Sequence, residues 1–132
     1  KYYKTSSSRG KAIHEYYRMD SAGEYAFAEQ LENNDNIILF TKLKKGGFII
    51  DTPYGNYSPD WAIVYRNPEN QLKLYFITET KADKEISDLS GVEIGKIQCG
   101  HLHFKAVSDD IQFDWVNSYN DFKNKFGVKE TF

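Results

Sequence analysis

Asp60, Glu79 and Lys81 are the residues of this chain whose types and spacing could do chemistry together. Asp60 opens the apolar run Trp61 to Tyr65, while Glu79 and Lys81 close the run that begins at Leu72. Between the runs lie Asn67, Pro68, Glu69, Asn70 and Gln71, residues that favour turns. An antiparallel hairpin centred between Glu69 and Asn70 sets Asp60 directly across from Glu79, Ala62 across from Ile77 and Val64 across from Tyr75. Residues opposite each other stand about 4.5–5.5 Å apart at Cβ. Lys81, two positions beyond Glu79, shares its face. Two carboxylates so close repel each other unless a cation lies between them. Mg²⁺ suits such a pair, because it is commonly held by one or two carboxylates while water and phosphate oxygens complete its shell. An ammonium cannot ligate, but it can orient an attacking water and stabilise charge that develops on phosphorus. The plain alternative is an exposed Glu79/Lys81 ion pair worth about 0–1 kcal/mol, with Asp60 as a strand-edge cap. Pro59 before Asp60, the hairpin spacing and the apolar strands favour the chemical reading.

The elements that must position these groups follow from apolar patterning. The same register puts Ala62, Val64, Tyr75 and Ile77 on one face, and Trp61, Ile63, Tyr65, Leu74 and Phe76 on the other. Both faces are apolar, so the hairpin belongs in the middle of a covered sheet with its charged residues at the rim. Upstream, Ser21 and Glu24 have the spacing of a capping box, and Tyr25, Phe27, Ala28 and Leu31 follow as an amphipathic helix ending at Asn33–Asn36. Ile37 to Thr41 and Phe48 to Ile50 read as two paired strands, separated by Gly46 and Gly47. Beyond Lys81, Leu89 to Phe104 suggests a helix despite Gly91, Gly95 and Gly100. Ile111, Phe113 and Trp115 alternate as a strand does, and Tyr119, Phe122 and Phe126 have helical spacing. The expected fold class is α/β, a central mixed sheet flanked by helices.

Composition bounds the remaining possibilities. A chain of 132 residues, 40% hydrophobic and 16% aromatic, supports one core without disulfides. Residues 1–20 lack a sustained period and read as an arm or linker with a short turn of helix, leaving 21–132 as the domain. Lys1 in place of Met suggests a piece of a longer polypeptide. Cys99 is the only cysteine, so no intrachain disulfide is possible, and a cytoplasmic location is expected. No run approaches the roughly 20 apolar residues of a membrane helix, so no membrane association is expected. The net charge of −2 argues against tight stand-alone binding of nucleic acid. Basic stretches at Lys1, Lys4, Arg9 and Lys11, and at Lys42, Lys44 and Lys45, could still reach phosphate.

Pro59-Asp60 together with Glu79-Thr80-Lys81 resembles the PD-(D/E)xK nuclease signature. The resemblance extends from Thr52-Pro53-Tyr54-Gly55-Asn56-Tyr57 through Asp60 to Val64, then Leu74 to Phe76, Glu93, Lys96 to Gly100, and His103-Phe104. In that extent the chain resembles the C-terminal endonuclease domain of the restriction subunit of type III restriction-modification enzymes, over about residues 21–107. The resemblance implies a helix-strand-strand-strand-helix-strand core, Mg²⁺ as cofactor and double-stranded DNA as substrate. It implies Asp60, Glu79 and the backbone carbonyl of Thr80 as metal ligands, and Lys81 as the group that assists the nucleophile. It also implies an acid from the first helix, Glu24 with Glu29 in reserve, although Glu24 equally suits a helix N-terminus. Lys96 and Gln98 on the later helix, with Lys44 and Lys45, are candidates for DNA contact. Expected partners are an ATP-dependent helicase-like motor on the same parent polypeptide and a separate modification (methyltransferase) subunit. No G-x-x-x-x-G-K-[ST] phosphate loop occurs here, so ATP would be used elsewhere in that enzyme.

Two readings compete with a DNA-cutting enzyme. One is an inactive nuclease-like fold that docks DNA or a subunit, and the other is an RNA-directed or repair nuclease with the same chemistry. Zinc at Cys99, His101 and His103 is not expected, because alternate positions do not share a helix face and no second cysteine completes a site. Tyr2, Tyr3, Tyr16 and Tyr17 could stack on bases, but packing of the arm on its own domain is the simpler expectation.

Overall fold

A computed structural model describes residues 2–4, 11, 16–18, 22–44, 48–53, 55–79 and 91–130. In chain order the elements are β1 (Tyr2–Lys4), β2 (Tyr16–Arg18), α1 (Ala22–Asn33), β3 (Ile37–Lys42), β4 (Ile50–Thr52), β5 (Gly55–Tyr57), β6 (Trp61–Arg66), β7 (Leu72–Glu79), α2 (Gly91–Val107), β8 (Ile111–Val116) and α3 (Tyr119–Phe126). Strands β3, β6, β7 and β8 form one sheet in that order. β6 runs antiparallel to both β3 and β7, and β8 joins β7 in parallel. A parallel neighbour cannot be reached by a tight turn, and α2 makes the crossover. The chain is thus an α/β domain with a restriction-endonuclease-like mixed sheet between helices.

Two aromatic-rich clusters hold the layers together. On one face of the sheet Phe27, Ala28 and Leu31 of α1 and Tyr119 and Phe122 of α3 bury against Trp61, Ile63, Tyr65, Tyr75 and Ile77. Phe27 lies 5.3 Å from the Trp61 ring and 5.8 Å from those of Tyr119 and Phe122. On the other face Ile97 and Phe104 of α2 meet Phe113 and Trp115, with Phe48 and Phe76 beside them. Gly100 permits that approach: a Cβ there would stand 2.6 Å from the Phe113 ring. The glycine that weakens the helical pattern in sequence is therefore what lets α2 lie close on β8.

Two expectations about strand pairing fail. Ile37 to Thr41 does not pair with Phe48 to Ile50; β3 pairs with β6, Lys42 opposite Trp61 and Phe40 opposite Ile63. A six-residue strand with Ile37 and Phe40 buried needs a long apolar neighbour, which a three-residue run cannot supply. Phe48 instead stacks on Phe76 at 5.1 Å, and β4 turns back on β5. Residues 2–4 and 16–18 likewise form the paired strands β1 and β2 where an arm with a turn of helix is expected.

The second failure is the hairpin register, which slips by one residue. Trp61 pairs with Ile77 and Ala62 with Phe76, so Trp61, Ile63, Tyr65, Tyr75 and Ile77 share a face. The cause is an odd loop of Pro68, Glu69 and Asn70. Asn67 and Gln71 close it: the Asn67 amide donates to the Gln71 carbonyl at 3.0 Å, and the Gln71 amide donates to Asn67 Oδ1 at 2.8 Å. Asn70 takes φ 63°, the left-handed conformation that asparagine tolerates better than most residues.

The end of α1 is tied to α3 by a buried amide. Asn34 is 1% exposed, its Oδ1 accepts from the Asn36 amide at 2.9 Å, and its Nδ2 donates to the Tyr119 hydroxyl at 2.9 Å. Replacing Tyr119 by Phe removes that acceptor, and urea unfolding at neutral pH should show a loss of about 1–3 kcal/mol. Burial pushes the phenols of Tyr75 and Tyr119 up to about 12. The folded state keeps these protons more tightly than the unfolded chain does. The associated stability is therefore intact below pH 10 and is lost as pH rises from 10 to 12. Tyr119→Phe should accordingly unfold less steeply than the wild type across that interval.

Candidate active site

Asp60 sits in a bend just before β6, with Pro59 buried behind it and the Ser58 hydroxyl donating to the Phe48 carbonyl at 2.7 Å. Its backbone is gripped on both sides. The Asp60 amide donates to the Ile77 carbonyl at 2.8 Å, and the Leu43 amide donates to the Asp60 carbonyl at 2.7 Å. An ordinary strand residue points its N–H and C=O at the same neighbour, whereas Asp60 points one at β7 and the other at β3. Because Ile77 is also the register partner of Trp61, Asp60 and Trp61 together oppose a single residue, the count of a β-bulge. The extra residue returns Asp60 to the register parity of Ile77, and hence to that of the Glu79 position two residues on. Without the bulge, the slipped register would put Asp60 and Glu79 on opposite faces. With strands ~4.8 Å apart and a rise of ~3.3 Å per residue, the Glu79 backbone, two residues beyond Ile77, lies roughly 8 Å from Asp60.

The same end and face of the sheet receive Glu24 and Lys42. Lys42 is the register partner of Trp61, and its Nζ lies 3.1 Å from Glu24 Oε2 in the first turn of α1. The side chains of Lys42 and Glu24 are only 15% and 13% exposed, so this pair is shielded from water. Removing one partner of such a pair costs more than the intact pair contributes, because the other charge is left in poor solvent. Glu29, the reserve acid, is exposed instead. The N-terminus of a helix also favours the carboxylate of Glu24 electrostatically.

The remaining expected residues lie on β7, on α2 and just after β3, or outside the described residues. Glu79 ends β7, where its backbone pairs with Val116 of β8, while Thr80 and Lys81 lie outside the described residues. Lys96 is half-buried on α2, with its chain end over Gly55 of β5: a Cβ on Gly55 would meet Lys96 Cε at 3.3 Å. Gly55 also holds φ 117°, a conformation side chains rarely adopt. Gln98 and Lys44 are exposed, and Lys45 is outside the described residues. His101 turns to Asp114 at 3.4 Å and His103 packs edge-on against Phe104, so neither faces Cys99 as a co-ligand. Sequence reasoning did not foresee the contact of Lys42 with Glu24. The only signal of Lys42 there is membership in the Lys42/Lys44/Lys45 cluster; the pairing of β3 with β6 sets it opposite Trp61.

As a donor set, carboxylate oxygens such as those of Asp60, Glu79 and Glu24 suit a hard divalent cation rather than a soft one. Among the described residues no group of three His, Cys, Asp or Glu is placed to hold a metal ion. Among the same residues no helix is long and apolar enough to cross a membrane.

A family model described as "Endonuclease domain" matches residues 10–119. The chain belongs to that family, and it is an endonuclease domain. No curated protein and no solved structure matches it.

Proposed function

We propose that this chain is the Mg²⁺-dependent, DNA-cleaving domain of a type III restriction enzyme, with Asp60, Glu79 and Lys81 as its catalytic residues. The observation that carries the reading is the bulge at Asp60, which gives an aspartate and the Glu79 position one parity at the end of a covered sheet. Membership in an endonuclease family supports it. The type III context rests on the resemblance of the extended string from Thr52 to Phe104.

In this reading Asp60, Glu79 and the Thr80 carbonyl hold the cation, and Glu24 adds a further carboxylate. When bound, Mg²⁺ lowers the pKa of a water and neutralises charge on the scissile phosphate. Asp60 contributes a carboxylate whose backbone is fixed by two strands, so its position costs little reorganisation. Lys81 orients the attacking water and balances the charge of the phosphorane. Lys96, Gln98, Lys44 and Lys45 contribute contacts to the DNA backbone. The modest net charge fits a domain tethered to a motor that holds the duplex and uses ATP, and to a modification subunit that recognises the site.

Glu79→Gln in the parent enzyme tests this. Cleavage of duplex DNA in Mg²⁺ should fall by on the order of 10³-fold while ATP hydrolysis continues. Unchanged cleavage would remove Glu79 from the site. Loss of both activities would point to a structural role.

A further inference from the structure

We infer that Lys42 couples cation binding to DNA binding: it is the counter-ion of Glu24 in the DNA-free protein and moves to a DNA phosphate when duplex arrives, releasing Glu24 to the cation. The inference rests on the reading above that Asp60 and Glu79 hold a divalent cation.

The Lys42–Glu24 pair spans two elements, α1 and β3, at the end of β3 where the next residue bonds Asp60. Its 3.1 Å separation and low exposure make it a defined contact, unlike the mobile ion pairs of an open surface. Lys42 is the partner of Trp61, and the next residue on its strand, Leu43, bonds the carbonyl of Asp60. An ammonium and a divalent cation that draw on one carboxylate compete for it, and each raises the cost of placing the other close by. A phosphate that enters the cation's coordination shell brings oxygens to the same place. Those oxygens offer Lys42 a new partner at the moment its old one is needed elsewhere. Linkage then requires that DNA tighten the cation by the factor with which the cation tightens DNA. A lone cation would be bound weakly until DNA is present, which restrains an untargeted nuclease.

The test is calorimetric titration with Mn²⁺ alone on the wild type, Lys42→Met and the double variant Glu24→Gln/Lys42→Met. Each is titrated with and without a short unmodified duplex, and electrophoresis of the recovered duplex checks that it stays intact. A thermal melt of each protein reports folding. The double variant removes both charges together and so provides a reference where the single change alone disturbs the core. Wild type should bind Mn²⁺ about tenfold more tightly with duplex than without it. Lys42→Met should raise the DNA-free affinity severalfold, and the duplex should then add less than it does in the wild type. The double variant should likewise show less tightening by duplex than the wild type. If wild type binds Mn²⁺ but Lys42→Met leaves the DNA-free affinity unchanged or weaker, or if the double variant keeps the wild-type tightening, the coupling role is wrong while the metal site stands. If wild type binds no Mn²⁺ with or without duplex, the metal-site reading fails and this inference fails with it.

Discussion

Asp60→Asn should leave a folded protein that no longer cuts DNA, with a rate loss on the order of 10³-fold or more. The substitution keeps the shape of the side chain and every backbone contact: the Asp60 amide still reaches Ile77, and its carbonyl still receives Leu43. What changes is one negative charge. A measured rate near that of the wild type, with unchanged melting, would show that Asp60 is not a ligand or catalyst. A loss of both activity and folding would assign the residue to the bulge itself. Single-turnover cleavage at saturating DNA separates the chemical step from binding.

Trp61→Ala, one residue on, should act in the opposite way, through the fold. Trp61 is fully buried between α1 and the sheet, 5.3 Å from the Phe27 ring and 6.3 Å from that of Phe40. Truncating a buried aromatic costs about 3–5 kcal/mol through lost transfer energy and the cavity left behind. For a domain whose whole stability is about 5–15 kcal/mol, that is a large fraction. Denaturant unfolding should show the midpoint falling sharply with little change in slope. Because Trp61 is the second residue of the bulge, activity should fall along with stability. A loss under about 1 kcal/mol would mean that the α1–sheet layer is not packed as described.

Much of the fold is legible in the sequence because its signals are local. Ile111, Phe113 and Trp115 alternate, and Tyr119, Phe122 and Phe126 recur at helical spacing; both patterns mark real elements, β8 and α3. The helix after Leu89 is also real, running from Gly91 to Val107, and Gly100 within it answers to a ring on β8 rather than to a break in the helix. What sequence does not show is pairing. The partner of β3 depends on which distant strand can cover Ile37 and Phe40, and no short-range pattern names it.

The register at the site is the sharpest case. A turn centred between Glu69 and Asn70 gives Asp60 and Glu79 one face directly. The actual loop has Asn70 in a left-handed conformation, which slips every β7 side chain to the other face. The bulge at Asp60 then returns that residue to the parity of the Glu79 position. Neither departure has a sequence signature stronger than an asparagine and a Pro-Asp pair. The contact of Glu24 with Lys42 is similarly invisible, since it depends on how α1 docks on the end of β3.

The most direct test of the central claim is a crystal structure of the chain soaked in Mn²⁺, read by anomalous scattering. An ion is expected beside the Asp60 bulge, held by carboxylate oxygens of Asp60 and Glu79. Anomalous density elsewhere and none between those two residues, in crystals where Mn²⁺ is bound, would contradict it.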